Sequence, residues 1–154
     1  MKCSLPSLAL LLFVAVLLTG CDVASLLGQA DVLTENDDDP VEDLIIDLRS
    51  TGADVERSGN VSQPFFSVEG HLLTVNGETV QVFAYATLDE ANAEAAGISP
   101  DGSSFQSEGF ATMVTWIGPP HFFKRDALLV LYVGVSSEVV EALEEVLGSQ
   151  FAGR

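Results

Sequence analysis

Three capped, amphipathic segments separated by two groups of short strands predict an α+β fold. The expected form is a mainly antiparallel sheet with helices packed on it in two layers, in the order helix, strands, helix, strands, helix. Three observations carry this. A capping residue precedes each helical stretch, at Asp39, Thr87 and Ser136 or Ser137. Asn76-Gly77, the dipeptide suited to a two-residue hairpin turn, separates two strand-like runs. Ala127 to Val133 is almost wholly apolar, as a central strand buried on both faces must be.

The chain has 154 residues, and its beginning has a different character from this domain. Lys2 gives a positive start, Leu5 to Leu18 is nearly unbroken Leu, Ala, Val and Phe, and Leu18-Thr19-Gly20-Cys21 follows. The apolar run is shorter than the roughly 20 residues a spanning helix needs, and acidic residues rather than a basic stop-transfer cluster come after it. Residues 1–20 therefore read as a leader. The tetrapeptide resembles the lipobox of bacterial lipoproteins, in which small residues let the backbone enter the peptidase beside a cysteine that is acylated on sulfur. The resemblance covers residues 1–21 only. It implies cleavage before Cys21 and a lipid, palmitate-type anchor on it, with the membrane as a partner and the domain on the extracytoplasmic side. Two acyl chains on one residue suffice for stable anchoring. Asp22 resembles the residue that keeps some lipoproteins of double-membrane bacteria on the inner membrane; which membrane applies here stays open.

Residues 21–39 carry Asp31, Glu35, Asp37, Asp38 and Asp39 and no Lys or Arg. Such a segment repels itself and reads as an extended tether. The run of Asn36, Asp37 and Asp39 lacks the glycine and the distant glutamate of a calcium loop, with Pro40 and Val41 where such a loop would continue.

The compact domain is expected over residues 40–154. Asp39 as cap, Pro40 at the first helical position and the spacing of Val41, Leu44, Ile45 and Leu48 predict a helix over 40–51, stopped by Gly52. Ala53 to Arg57 predicts a short strand, with Ser58-Gly59-Asn60 and Gln63-Pro64 as loop. His71 to Val75 and Glu78 to Ala86 should pair across Asn76-Gly77. Thr87 and Glu90 form a capping box for a short helix on Leu88, Ala91 and Ala95 that ends at Gly97. Ser99 to Gly109 reads as a long polar loop, Phe110 to Ile117 as a strand, Gly118-Pro119-Pro120 as a turn and His121 to Lys124 as a short strand. The last helix buries Val139, Leu143, Val146 and Leu147 and ends at Gly148. A faint echo aligns Phe65, Phe66, Leu72 and Gly77 with Phe122, Phe123, Leu129 and Gly134 at one common offset, which suggests a duplication.

Composition narrows function. A hydrophobic fraction of 47% excludes wholesale disorder. The net charge is −17, and loss of Lys2 with the leader makes it one more negative. This field repels nucleic acid and anionic lipid and attracts cations or a basic partner. Cys3 and Cys21 are the two cysteines, so no thiol remains beyond residue 21 for a disulfide, a zinc site or nucleophilic catalysis. His71 and His121 stand in no triad, zinc or nucleophile-elbow pattern, and no glycine loop for nucleotides occurs. No cofactor is implied.

The candidate recognition surface is aromatic: Phe65 and Phe66 after Pro64, and Trp116, His121, Phe122 and Phe123 with the basic pair Lys124 and Arg125 beside them. Either these rings form an exposed apolar platform, or alternate members of each pair fill the core. The absence of a catalytic set favours a non-enzymatic binding domain for an envelope protein or a small ligand. The alternatives are an envelope hydrolase using acidic residues and His121, or a passive structural lipoprotein.

Overall fold

Pro40, which cannot donate a backbone hydrogen bond, opens the first helix. The computed structural model describes residues 39–107 and 109–153; the expected leader, Cys21 and the tether up to residue 38 lie outside the described residues. Helix α1 is Pro40–Ser50. The Asp39 side chain accepts from the Val41 N–H at 2.9 Å, satisfying one of the amides that a helix start leaves free. Burial alone would raise the Asp39 carboxyl, but the Val41 N–H and the Arg57 guanidinium outweigh it and hold the group below its ordinary value. At the other end the Arg49 guanidinium donates to the Val55 carbonyl at 2.7 Å and ties the helix to the first strand.

The main sheet has six strands in the order β1-β2-β3-β7-β6-β8. They are β1 Val55–Val61, β2 Gly70–Val75, β3 Glu78–Ala84, β6 Pro120–Arg125, β7 Leu128–Val133 and β8 Ala152–Gly153. Every pairing is antiparallel. The hairpin at Asn76-Gly77 forms as predicted, both residues having positive φ (49° and 82°), as a two-residue turn of matching twist requires. Strand β7 lies between β3 and β6, and Leu128 to Tyr132 are all buried, which accounts for its continuous apolar sequence.

Both faces of the sheet are covered. Leu73, Val75, Val80, Val82, Phe123, Leu128, Val130 and Tyr132 pack against α1 and against α3, which is Ser137–Leu147. On the other face Phe83, Phe122, Leu129 and Leu131 pack under α2, Leu88–Ala96, and under Phe65, Phe66 and Phe105. Each buried Leu, Val or Phe contributes about 1.5–3 kcal/mol. A second, two-stranded sheet of β4 (Ser104–Ser107) and β5 (Phe110–Met113) belongs to this second layer.

Several boundaries differ from the sequence reading. Strand β1 runs through Ser58-Gly59-Asn60, because a bulge between Arg57 and Gly59 absorbs the turn residues on an edge strand. The expected Ser99–Gly109 loop contains β4, and the strand expected to reach Ile117 ends at Met113. Strand β8 had no signal, since two residues carry no periodicity. The sequence echo does not mark equivalent positions: Phe65 and Phe66 lie in a turn, whereas Phe122 and Phe123 lie in β6. Strands β2–β3 and β6–β7 each form an antiparallel hairpin, with Leu73 opposite Val80 and Phe123 opposite Val130. They meet at the central β3–β7 pairing. The helices that follow them cover opposite faces of the sheet.

Candidate functional site

Side chains alternate along β6, so the residues singled out by the sequence divide between two faces. Phe122 points into the layer under α2, while Phe123 points into the layer under α1 and α3. Both are fully buried, at 1% and 0% exposure, and act as core rather than as an exposed platform. His121 is buried as well and stacks on Tyr132 at 5.7 Å. Its Nε2 lies 3.2 Å from the Gly134 carbonyl oxygen. Its Nδ1 lies 2.8 Å from Gln150 Oε1. With both nitrogens engaged, this imidazole is arranged as a structural one.

The basic pair also separates. The Arg125 guanidinium donates to the Asp47 carboxylate at 2.7 Å and to the Val146 carbonyl at 3.5 Å, clamping α1 and α3 to the sheet. Lys124 is half-buried on the other face of β6, opposite Leu129 in register. His71 is half-buried on β2 and its Nδ1 meets the Asn60 side chain across the β1–β2 pairing.

Trp116 does join Phe65 and Phe66. Its ring lies edge-on to Phe65 at 5.8 Å, to Phe122 at 6.0 Å and to Phe105 at 6.2 Å, and its indole N–H donates to the Gly102 carbonyl at 2.8 Å. Gly102 is held by the Asp101 turn. The Asp101 carboxylate accepts from the hydroxyls of Ser99 and Ser103 and from the Ser103 N–H. Those hydrogen bonds lower its carboxyl to about 2. Because the shift is downward, the turn's preference for the folded state is complete above the ordinary value of 3.8 and is lost as pH falls towards 2.

Phe65 stacks on Phe105 with centroids 4.0 Å apart, and Phe66 lies 4.3 Å from Phe83. The outer edges of this cluster form the floor of a cleft of about 620 Å³, lined by Pro64, Phe65, Phe66, Phe105 and Phe110 with Ser67, Glu94, Ser107 and Thr112. In the β4–β5 register Phe105 pairs with Thr112 and Ser107 with Phe110, so these four share the face of the hairpin that borders the cleft. Phe110 is 82% exposed at the rim. Glu94, on α2, is the one charged lining residue. Its Oε2 accepts from the hydroxyl and, at 3.3 Å, from the N–H of Ser67, which fixes the carboxylate at the edge of the aromatic floor.

The sequence pointed to Phe65, Phe66 and Trp116 but missed Phe105, Phe110, Ser67 and Glu94. The alternation of Phe105 with Ser104 and Gln106, and Gly109 before Phe110, were the available signals. They were hidden inside a stretch rich in serine and glycine.

Beneath the cleft layer Tyr85 is buried, and its hydroxyl lies near the Glu94 carboxylate without a well-formed hydrogen bond. Burial, and after it the Glu94 carboxylate, push the phenol above its ordinary value, so it stays neutral. Tyr85→Phe keeps the ring and removes an unsatisfied group, and is expected to raise stability by about 1 kcal/mol in urea denaturation. A loss of that size instead would mean that the hydroxyl is bonded in solution.

Among the described residues no group of three or more His, Cys, Asp or Glu side chains converges as metal ligands would, and no helix is long and apolar enough to cross a membrane. Comparison with protein-family models, with curated proteins and with solved structures found no match to this chain, so its functional reading rests on the chemistry of the cleft.

Proposed function

We propose that the chain is a non-catalytic binding module, held at the extracytoplasmic face of the cell membrane by lipid on Cys21, whose ligand seats in the aromatic cleft. The observation that carries the binding reading is Phe110, 82% exposed at the rim of a concave floor made by Phe65, Phe66 and Phe105. A large apolar side chain standing in water beside an aromatic hollow is an arrangement that favours a bound partner over a bare surface. The anchoring reading is supported by Leu18-Thr19-Gly20-Cys21 and by the acidic segment after it. The hydrolase reading gains nothing from His121, whose two ring nitrogens are both engaged.

The test is site-specific photo-cross-linking in cells that make the full chain. A photoreactive phenylalanine at position 110 is compared with one at position 46, an exposed site on α1 in the opposite layer. One discrete adduct at 110 and none at 46 is expected, on a chain whose membrane-extracted form carries an acyl mass that Cys21→Ala loses. Equal or absent adducts at the two sites would remove the binding role. An unmodified Cys21 would remove the anchor.

A further inference from the structure

Glu94 stands where an apolar cleft would gain nothing from a charge. The cleft is otherwise lined by Pro64, four phenylalanines and three hydroxyl side chains, with no Lys or Arg to pair the carboxylate. Both Ser67 bonds use Oε2, and apart from the Tyr85 hydroxyl beside this carboxylate no donor among the described residues competes for Oε1. A carboxylate fixed beside phenylalanine rings is the combination that receives an ammonium group. The carboxylate neutralises the cation, the exposed Phe110 ring is free to offer it a face, and the apolar floor takes the hydrocarbon stem.

The charge of the whole chain acts in the same direction. With a net charge of −17, its field draws in a chain bearing several positive charges more strongly than a single amine, because the attraction grows with the charge of the ligand. We propose that the cleft binds a lysine side chain presented by a basic protein segment, with the ammonium at Glu94 Oε1 and the methylenes against Phe65, Phe66 and Phe110. The inference rests on the binding role proposed above and adds the chemistry of its ligand.

Trp116, the single tryptophan, packs on Phe65 and Phe105 behind the floor and reports on the cleft. The experiment titrates the folded chain with a capped Lys-Phe-Lys-Phe-Lys peptide and with its tri-acetyl-lysine counterpart, following Trp116 emission and backbone amide resonances. n-Hexylammonium serves as a free-amine arm.

The lysine peptide is expected to bind about tenfold more tightly than the acetylated one, a difference one desolvated cation contact supplies. Glu94→Gln should cut the preference to about threefold, the share that the net charge of the chain still supplies, and Ser67→Ala should lie between. Equal affinities for the two peptides in the unaltered protein would overturn the cation reading and leave an apolar binding cleft in place. n-Hexylammonium binding as tightly as the lysine peptide would overturn the protein segment as ligand. No change at Trp116 or at the cleft amides with any of the three at millimolar concentration would remove the binding role itself.

Discussion

Phe122→Ala is expected to cost about 3–5 kcal/mol, the range for deleting a buried phenylalanine that its neighbours cannot replace. Phe122 is 1% exposed, and its ring meets Phe105 at 5.9 Å, Trp116 at 6.0 Å and Phe151 at 6.3 Å. The deletion therefore undermines the floor of the cleft as well as the sheet. Urea denaturation measures the loss, and Trp116 emission in the native state should move to longer wavelength as its packing loosens. Phe123→Ala should cost a similar amount, since Phe123 is 0% exposed, but in the layer beneath α1 and α3. Its native Trp116 emission should stay unchanged. If the two variants altered Trp116 alike, the separation of the two layers would be wrong.

Gly102→Ala is expected to cost about 2–4 kcal/mol, combining left-handed backbone strain with overpacking. Gly102 has φ +69°, and an added Cβ would lie 2.6 Å from Phe122 Cε2 and 3.2 Å from Pro120 Cγ. Its carbonyl accepts the Trp116 indole N–H, so any shift that relieves the clash weakens that bond. Gly52→Ala supplies the control. Gly52 has φ +93° with nothing within 4 Å of the added carbon, so only the strain remains, about 1–2 kcal/mol. Equal losses at the two sites would show that the contact with Phe122 has no consequence.

Binding and stability separate cleanly in these variants. Phe122 and Gly102 support the floor from behind, whereas Glu94 and Phe110 face outward. Substitutions of the first pair should lower stability and cleft binding together. Substitution of Phe110 should change binding with stability altered by less than about 0.5 kcal/mol, the usual range for surface sites, whereas Glu94→Gln also weakens the Ser67 bonds.

The sequence by itself determined the elements whose causes are local. Asp39, Thr87 and Ser136 cap helices because each side chain meets an amide two or three residues away. Asn76-Gly77 makes its turn because those two residues tolerate positive φ. The apolar run of β7 required burial on both faces, and with the capped helices it determined the α+β class. The leader and the lipid on Cys21 are likewise matters of local pattern, and remain expectations from sequence.

Tertiary structure alone decided where the aromatic residues go. Phe122 and Phe123 are adjacent and chemically identical, and the pleat of β6 sends them to opposite layers, a choice invisible until the strand has neighbours on both sides. Strand β4 exists because Phe105 is buried against Phe65, a residue distant in sequence, and this contact overrides the loop preference of the serines and glycines around it. Glu94 reads as one more acidic residue on a helix until Ser67 holds it beside the rings. Caps and turns are short-range and leave a mark in a few consecutive residues; the cleft is made by contacts among segments far apart in the chain, and those leave none.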